Sequence, residues 1–314
     1  MVWLTWRQHR VQLLVAAAFV VVVGVLLFVH ASRTGTLVAP SEPDSVRRRN
    51  LLDSQFGQVG RFLLFSAALP ALIGLFWGTP LLAREYERGT HLLAWTQSVP
   101  RQAWLGVKLA GLGAAVTAAG LVFGFAIYAW AGEFAPTRSA GRLANQELFV
   151  STGIVPAAWW LFAFAVGVAA GAVFRKLLTA MAVTLGVFFA VYIGVFNTDA
   201  RLHYATPVHV EETAPADRGE PLLINTRSGV EDRLPGGALM AATGWLDRGG
   251  VPLSNAETWS CASTSDYLAC MRDKGYRWFA EYHPADRYWR FQLTEAGALL
   301  VAALALGAVA WRRS

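Results

Sequence analysis

The sequence predicts an all-α polytopic membrane protein with six transmembrane helices and a small extracytoplasmic domain between the fifth and sixth. Three observations carry this expectation. Six long apolar runs thread the chain, at 11–29, 62–82, 104–130, 150–174, 177–196 and 291–311, each near the ~20 residues that cross a ~30 Å hydrocarbon core. No aspartate, glutamate, lysine or arginine sits in the middle of any of them. Of the chain's 13 tryptophans, several fall near run ends, among them Trp77, Trp104, Trp130 and Trp311, where an amphipathic ring suits the headgroup layer. The runs read as helices because a backbone in lipid must satisfy its own hydrogen bonds, and they are too continuously apolar for barrel strands. A soluble protein with buried helices would need polar faces that these segments lack.

Residues 1–10 place Trp3 and Trp6 one helical turn apart ahead of Arg7, Gln8, His9 and Arg10, which suits either a short interfacial helix or an unstructured basic tail. The first run exceeds the usual apolar core of a secretory signal, so it is expected as an uncleaved anchor. Domains follow as 1–10, the transmembrane helices of 11–196 with a hairpin at 83–108, an extracytoplasmic segment at 197–290, and the last helix with its tail at 291–314. In the outer loop, Pro40 and Pro43 precede an amphiphilic stretch near Leu51, Leu52 and Phe56. Pro70 and Pro80 are expected to kink the second span. Only Arg175 and Lys176 separate the fourth and fifth runs, which forces an antiparallel hairpin. Gly120 and Gly124 in the third run, and Gly167 and Gly171 in the fourth, have the spacing that lets backbones approach within one subunit.

Segment 197–290 is long enough for a small folded domain. It carries both cysteines, Cys261 and Cys270; on an oxidising face they are expected to form a disulfide pinning a small loop, the alternative being two free thiols. Trp278, Tyr282, Tyr288 and Trp289 gather toward the outer interface, after which Thr294 and Glu295 are expected to open the last helix. His203, His209, Glu211 and Glu212 fit no strong metal-ligand spacing, so no metal and no cofactor are expected.

Arg7, Arg10, Arg84, Arg88, Arg101, Lys108, Arg175, Lys176, Arg312 and Arg313 lie close to run ends on one side of a six-span layout, which predicts both termini in the cytoplasm. Arg47, Arg48 and Arg49 count against this, but they sit far from the flanking spans and beside Glu42 and Asp44. The net charge of +6 is scattered among acids, which excludes a nucleic-acid surface. The sequence holds no phosphate-binding Gly-x-x-x-x-Gly-Lys-Ser/Thr loop, no His-Glu-x-x-His and no Gly-x-Ser-x-Gly, so no catalytic residue is assigned. Span centres without ionisable groups argue against ion-coupled transport. The energy source is then another polypeptide.

The hairpin 83–108 is the most informative loop. It contains Glu85, Glu87, Gly89, Thr90, Leu92, Leu93, Trp95, Val99, Pro100, Arg101 and Lys108. Gly89 can supply a break, Thr90 can cap a new helix, and Leu92, Trp95 and Val99 recur at helical spacing before Pro100 ends it. Such a short helix either docks into a groove on a soluble partner or rests on the bilayer and the span ends.

Glu85, Glu87, Gly89, Thr90, Leu92, Leu93, Pro100, Arg101 and Lys108 in this order resemble the first cytoplasmic loop of ABC-2 type transporter permeases, most of all those of actinobacteria. The likeness extends to the six-span layout, to Trp6, Arg7, Gln8, His9 and Arg10, and to Tyr282, His283, Pro284, Ala285, Asp286, Arg287, Tyr288 and Trp289 before the last run. The resemblance implies an exporter subunit in the cell membrane whose loop, with Trp95, carries a coupling helix. There it receives force from a separate ATP-binding cassette ATPase, and two permease copies, as homodimer or heterodimer, pair with two ATPases. The chain itself then hydrolyses nothing. The large segment before the last run departs from that family's pattern and leaves the cargo open. The competing class is a membrane receptor or sensor with a ligand-binding outer domain, and a third is an assembly or immunity protein that acts by sequestration.

Overall fold

The computed structural model describes residues 14, 18, 21–34, 45–66, 68–89, 101–134, 141–197, 199–213, 237–262 and 267–313. Its centre is a helix, α7 (Val155–Phe174), of which 83% of the apolar window is buried, against 17–33% in the other long apolar helices. Around it lie α3 (Ala68–Ile73), a π-helical turn (Gly74–Gly78), α4 (Thr79–Arg88), α5 (Arg101–Gly132), α8 (Leu177–Asn197) and α11 (Tyr288–Arg313). The apolar helix α1 (Val21–Thr34) and α2 (Ser45–Ser66) precede them, and the short α6 (Gln146–Ser151) leads into α7. Helix α7 is apolar on all sides because it is surrounded by protein on all sides. The lipid-type exposure falls instead on α1, α8 and α11, through residues such as Phe28, Leu178, Val301 and Leu304.

Small residues decide how closely the neighbours approach α7. A Cβ at Gly167 would collide with the Gly74 carbonyl oxygen and stand 2.8 Å from the Thr79 nitrogen, and one at Gly171 would stand 2.8 Å from the Thr79 carbonyl oxygen. Toward the start of α7, Gly120 faces Ala157 and Gly124 faces Gly153. Both glycine pairs thus serve packing within the chain, as their spacing predicts.

The second apolar run is more broken than two proline kinks would make it. Helix α2 runs from Ser45 to Ser66, α3 ends at Ile73, and the π turn intervenes before α4. Pro80 has no N–H to donate and its ring crowds the preceding turn, so the wider turn relieves it, with the Thr79 N–H reaching back to the Gly74 carbonyl. The fourth run is also split: α6 stops at Ser151, and α7 restarts at Val155 after Gly153 adopts φ 69°. The last helix begins at Tyr288, ahead of the expected opening at Thr294 and Glu295. A 3₁₀ turn (Ala285–Arg287) feeds it directly, so its polar first turns are helical too.

The chain is mostly helical rather than all-α. Segment 197–290 holds an antiparallel three-stranded sheet in the order β1–β3–β2, formed by β1 (Val208–Thr213), β2 (Leu239–Leu246) and β3 (Arg277–His283). In β3, Trp278 and Ala280 are buried two residues apart while their neighbours are less covered, the period-two pattern of a half-buried strand. Helices α9 (Asn255–Ala262) and α10 (Tyr267–Asp273) are joined by a Cys261–Cys270 disulfide packed beside Met271 and Trp245.

His283 ties this sheet to the bundle. Its Nε2 lies 3.1 Å from the Leu202 carbonyl and its Nδ1 3.2 Å from Arg287 Nη1, while Arg287 also donates to the Thr206 carbonyl at 2.6 Å. The arrangement fits a neutral ring that accepts from Arg287 and donates to Leu202. Burial pushes the His283 imidazole below its ordinary value and Arg287 adds to this, while the Leu202 bond opposes it.

Two predictions follow from this packing. Gly167→Ala lowers the thermal midpoint of the detergent-solubilised protein by roughly 3–10 °C, from ~1–3 kcal/mol of overpacking. Gly113→Ala, whose methyl would meet Leu161 at an ordinary 3.7 Å, leaves the midpoint nearly unchanged; equal shifts in scanning fluorimetry would contradict the close approach. Because the folded value of His283 is depressed, its contribution to stability is present above the unfolded pKa of about 6.5 and is lost as pH falls toward the folded value. Exposed His209, raised by Glu211 and Glu281, works in the opposite sense: its contribution is present at low pH and lost as pH rises. The protection of β3 amides, corrected for the base-catalysed intrinsic exchange rate, should therefore fall as the pH drops from about 7.5 to about 5.5 in the native chain, and His283→Gln should remove most of that fall.

Candidate functional site

The candidate site lies where α4 ends, α5 begins and α7 turns into α8. Helix α4 buries Thr79, Leu81, Leu82 and Ala83 and then turns charged through Arg84, Glu85, Glu87 and Arg88. Gly89 stops it in the left-handed region at φ 67°, with its N–H bonded to the Tyr86 carbonyl at 3.3 Å. A side chain there would be strained, which matches the break expected at Gly89.

Each carboxylate of this last turn reaches a different helix. Glu85 Oε1 accepts a hydrogen bond from Lys108 Nζ on α5, in an ion pair whose lysine side chain is only 5% exposed while the glutamate keeps 22%. Glu87 Oε1 accepts the backbone N–H of Leu177 at 2.8 Å. Leu177 is the first residue of α8, so Glu87 caps that helix from outside it, where an anion also meets the positive end of the helix dipole. The intervening turn is as tight as two residues allow. Arg175 adopts φ 54° with its N–H on the Gly171 carbonyl at 3.1 Å, and its guanidinium lies 5.1 Å from the Tyr86 ring centre.

The structure thus gathers Glu85, Glu87, Gly89 and Lys108 at one end of the bundle, and Arg101 is the first residue of α5. Thr90, Leu92, Leu93, Trp95 and Pro100, together with the expected interfacial helix at 1–10, lie outside the described residues. Tyr86 and the Leu177 N–H belong to the site without a signal in the sequence, where Arg175 counted as a charge and as half of the two-residue turn. Among the described residues no cluster of His, Cys, Asp or Glu is placed to hold a metal ion. His209 instead lies 3.3 Å from Glu281 and 3.2 Å from Glu211, and Arg277 completes that exposed network through Glu211.

The polar groups inside the bundle mostly serve its backbone. Thr79, Thr117 and Thr184 donate to the carbonyls of Gly74, Gly113 and Ala180, and the Thr79 and Thr184 hydroxyls also meet at 3.1 Å. A second polar group lies at the start of the last helix, where the sequence predicts only an opening turn. Tyr288, Gln292 and Glu295 recur at four and three residues on one stripe of α11, and Gln292 and Glu295 are fully buried. That spacing was the available signal.

Among the described residues, four helices are long and apolar enough to cross a membrane, with Val21–Thr34 as a shorter apolar helix. Together with the apolar side chains that these helices turn outward, this defines a mostly helical, membrane-embedded protein. The chain belongs to the ABC-2 membrane transporter related family, whose model matches residues 10–198, about three fifths of its length. It is thus a permease component of an ABC transporter and a membrane protein. The match contains the whole candidate site and ends just after α8, before the sheet and α11. No curated protein and no solved structure matches the chain.

The burial asymmetry of the ion pair gives a directional test. Lys108→Met removes a cation and leaves a carboxylate that water can still reach, whereas Glu85→Gln deprives a nearly dry ammonium of its anionic partner. Glu85→Gln should therefore lower the thermal midpoint more than Lys108→Met, by a margin of about 1–3 kcal/mol. The reverse order in thermal unfolding would refute the burial argument.

Proposed function

We propose that this chain is the transmembrane permease subunit of an ABC-2 type exporter in the cell membrane. A separate ATPase docks on the coupling hairpin 83–108, and its ATP hydrolysis drives substrate across the membrane. Two permease copies form the working dimer. The observation that carries the reading is the double reach of the α4 end inside the family match: Glu85 to α5 and Glu87 to the start of α8. A displacement of the segment joining α4 to α5 is thereby handed to several helices, which is what a coupling hairpin must do.

Six crossings are proposed in chain order: α1, the α3–π–α4 element, α5, α7, α8 and α11. With six, the Arg175–Lys176 turn, the 83–108 hairpin and both termini share one side, and the sheet with its Cys261–Cys270 disulfide occupies the other. Thiol oxidation favours the outside for the sheet, and the basic residues favour the cytoplasm for the hairpin. The division into 1–10, 11–196, 197–290 and 291–314 belongs to the same proposal. A receptor reading draws no support from the family match.

The docking role is tested by replacing Leu92 and Trp95 with aspartate. The permease should stay membrane-inserted and lose co-purification with its ATPase by more than about tenfold, since two apolar anchors would be replaced by charges. Undiminished complex formation would overturn the docking role.

A further inference from the structure

The polar stripe of α11 meets a break in the centre of the bundle. Between α6 and α7 the backbone turns at Thr152, Gly153 and Ile154, leaving the end of one helix and the start of the next without intrahelical partners. Helix α11 supplies those partners. Gln292 Oε1 accepts the N–H groups of Ile154 and Val155, each at 3.0 Å, and Gln292 Nε2 donates to the Phe149 carbonyl at 2.9 Å. The Tyr288 hydroxyl donates to Thr152 Oγ1 at 2.8 Å, and Thr152 donates to the Leu148 carbonyl at 2.7 Å. One turn further, Glu295 Oε1 accepts from Trp159 Nε1 of α7 at 2.9 Å and Oε2 accepts from the Tyr204 hydroxyl at 3.3 Å. Gln292 is 0% exposed and Glu295 2%, so the bonds to Val155, Phe149 and Trp159 are buried, while those to Ile154 and Tyr204 are part-buried.

The other half of α11 is held differently. Leu299, Ala303 and Ala310 are buried there without polar partners on α7, and Trp311 lies 3.5 Å from the position a Cβ would take on Gly106. An apolar seam resists separation because parting it exposes hydrocarbon to water. A seam closed by hydrogen bonds can part if water enters, since water replaces each lost partner at small net cost, whereas parting it dry would orphan the backbone of the break. One helix is therefore hinged along its apolar half and openable along its polar half.

The openable half is also the half joined to the sheet. Tyr204 lies in the segment between α8 and β1, His283 closes β3 against the Leu202 carbonyl, and Arg287 bonds the Thr206 carbonyl at the foot of α11. Buried Arg201, whose guanidinium lies 4.8 Å from the Phe149 ring centre, stands in the same corner.

We infer that the seam between Tyr288, Gln292 and Glu295 of α11 and the α6–α7 break is a water-admitting gate beneath the sheet, with Glu295 the positioning residue that holds it shut. The inference rests on the proposed transport reading for what opens the gate. The seam itself rests on the geometry alone.

The test labels Thr152→Cys with a membrane-impermeant maleimide added outside vesicles that contain the permease and its ATPase. Cys261 and Cys270 are bonded to each other, so the introduced thiol reports alone. In the resting complex labelling should be slow, and trapping the ATPase with ATP and vanadate should speed it. Glu295→Leu should speed it by at least about tenfold without nucleotide, the factor expected from losing the two hydrogen bonds that Glu295 accepts from Trp159 and Tyr204. Tyr204→Phe, which removes one hydroxyl and no charge, should give a smaller rise and decides the question if Glu295→Leu does not fold.

A rate that neither the variants nor nucleotide changes would overturn the gate. Acceleration by nucleotide but not by the variants leaves the transport reading standing and removes the role of Glu295. Acceleration by the variants but not by nucleotide keeps the seam and removes the ATP-driven reading.

Discussion

The bundle depends on the close approach of backbones to α7. Gly74, Gly78, Thr79 and Ala83 press against Gly167 and Gly171 on one flank, and Gly120 and Gly124 press against Gly153 and Ala157 on another. In an apolar solvent no hydrophobic drive brings helices together, so packing area and the hydrogen bonds it permits must do so. Because those glycines leave room, α7 is enclosed by its neighbours, and α1, α8 and α11 turn apolar side chains outward.

The same solvent dictates how the chain handles its irregularities. A place where a helix breaks would orphan backbone groups, and three such places among the described residues are served from nearby. The π turn before Pro80 is closed by Thr79, whose backbone N–H and hydroxyl both meet the Gly74 carbonyl. The two-residue turn at Arg175 is capped by Glu87 from α4. The interruption around Gly153 is closed by Gln292 from α11, with the Gly153 N–H on the Gly124 carbonyl at 3.1 Å. Long-range side-chain contacts thus appear where the regular ladder fails, as a medium without water requires.

These repairs sit at opposite ends of the bundle and differ in kind. At the hairpin end they are carboxylates acting on a lysine and on a helix start, firm charge-assisted bonds suited to carrying a displacement. Near the sheet they form a mostly neutral network around one buried glutamate, suited to exchange with water. In the proposed exporter, the first would receive motion and the second would respond to it. The central helix joins them, since α7 touches both the π turn and α11.

Much of this was legible in the sequence because it is local or periodic. Apolar run length gave the long helices, the Arg175–Lys176 spacing gave the α7–α8 hairpin, and Gly89 announced a break that the structure realises at positive φ. Motif order around Glu85, Glu87 and Lys108 pointed to the family. The sequence by itself determined that the chain is a bundle of apolar helices with a charged elbow, because hydropathy and spacing are properties of short stretches. Only the tertiary structure decided which helix is central, that Glu87 caps α8, that 150–174 is interrupted, that part of 197–290 is a sheet, and that Glu295 is buried. Those outcomes depend on partners distant in sequence, up to 143 residues away, and no local pattern encodes which backbone group a distant side chain will find.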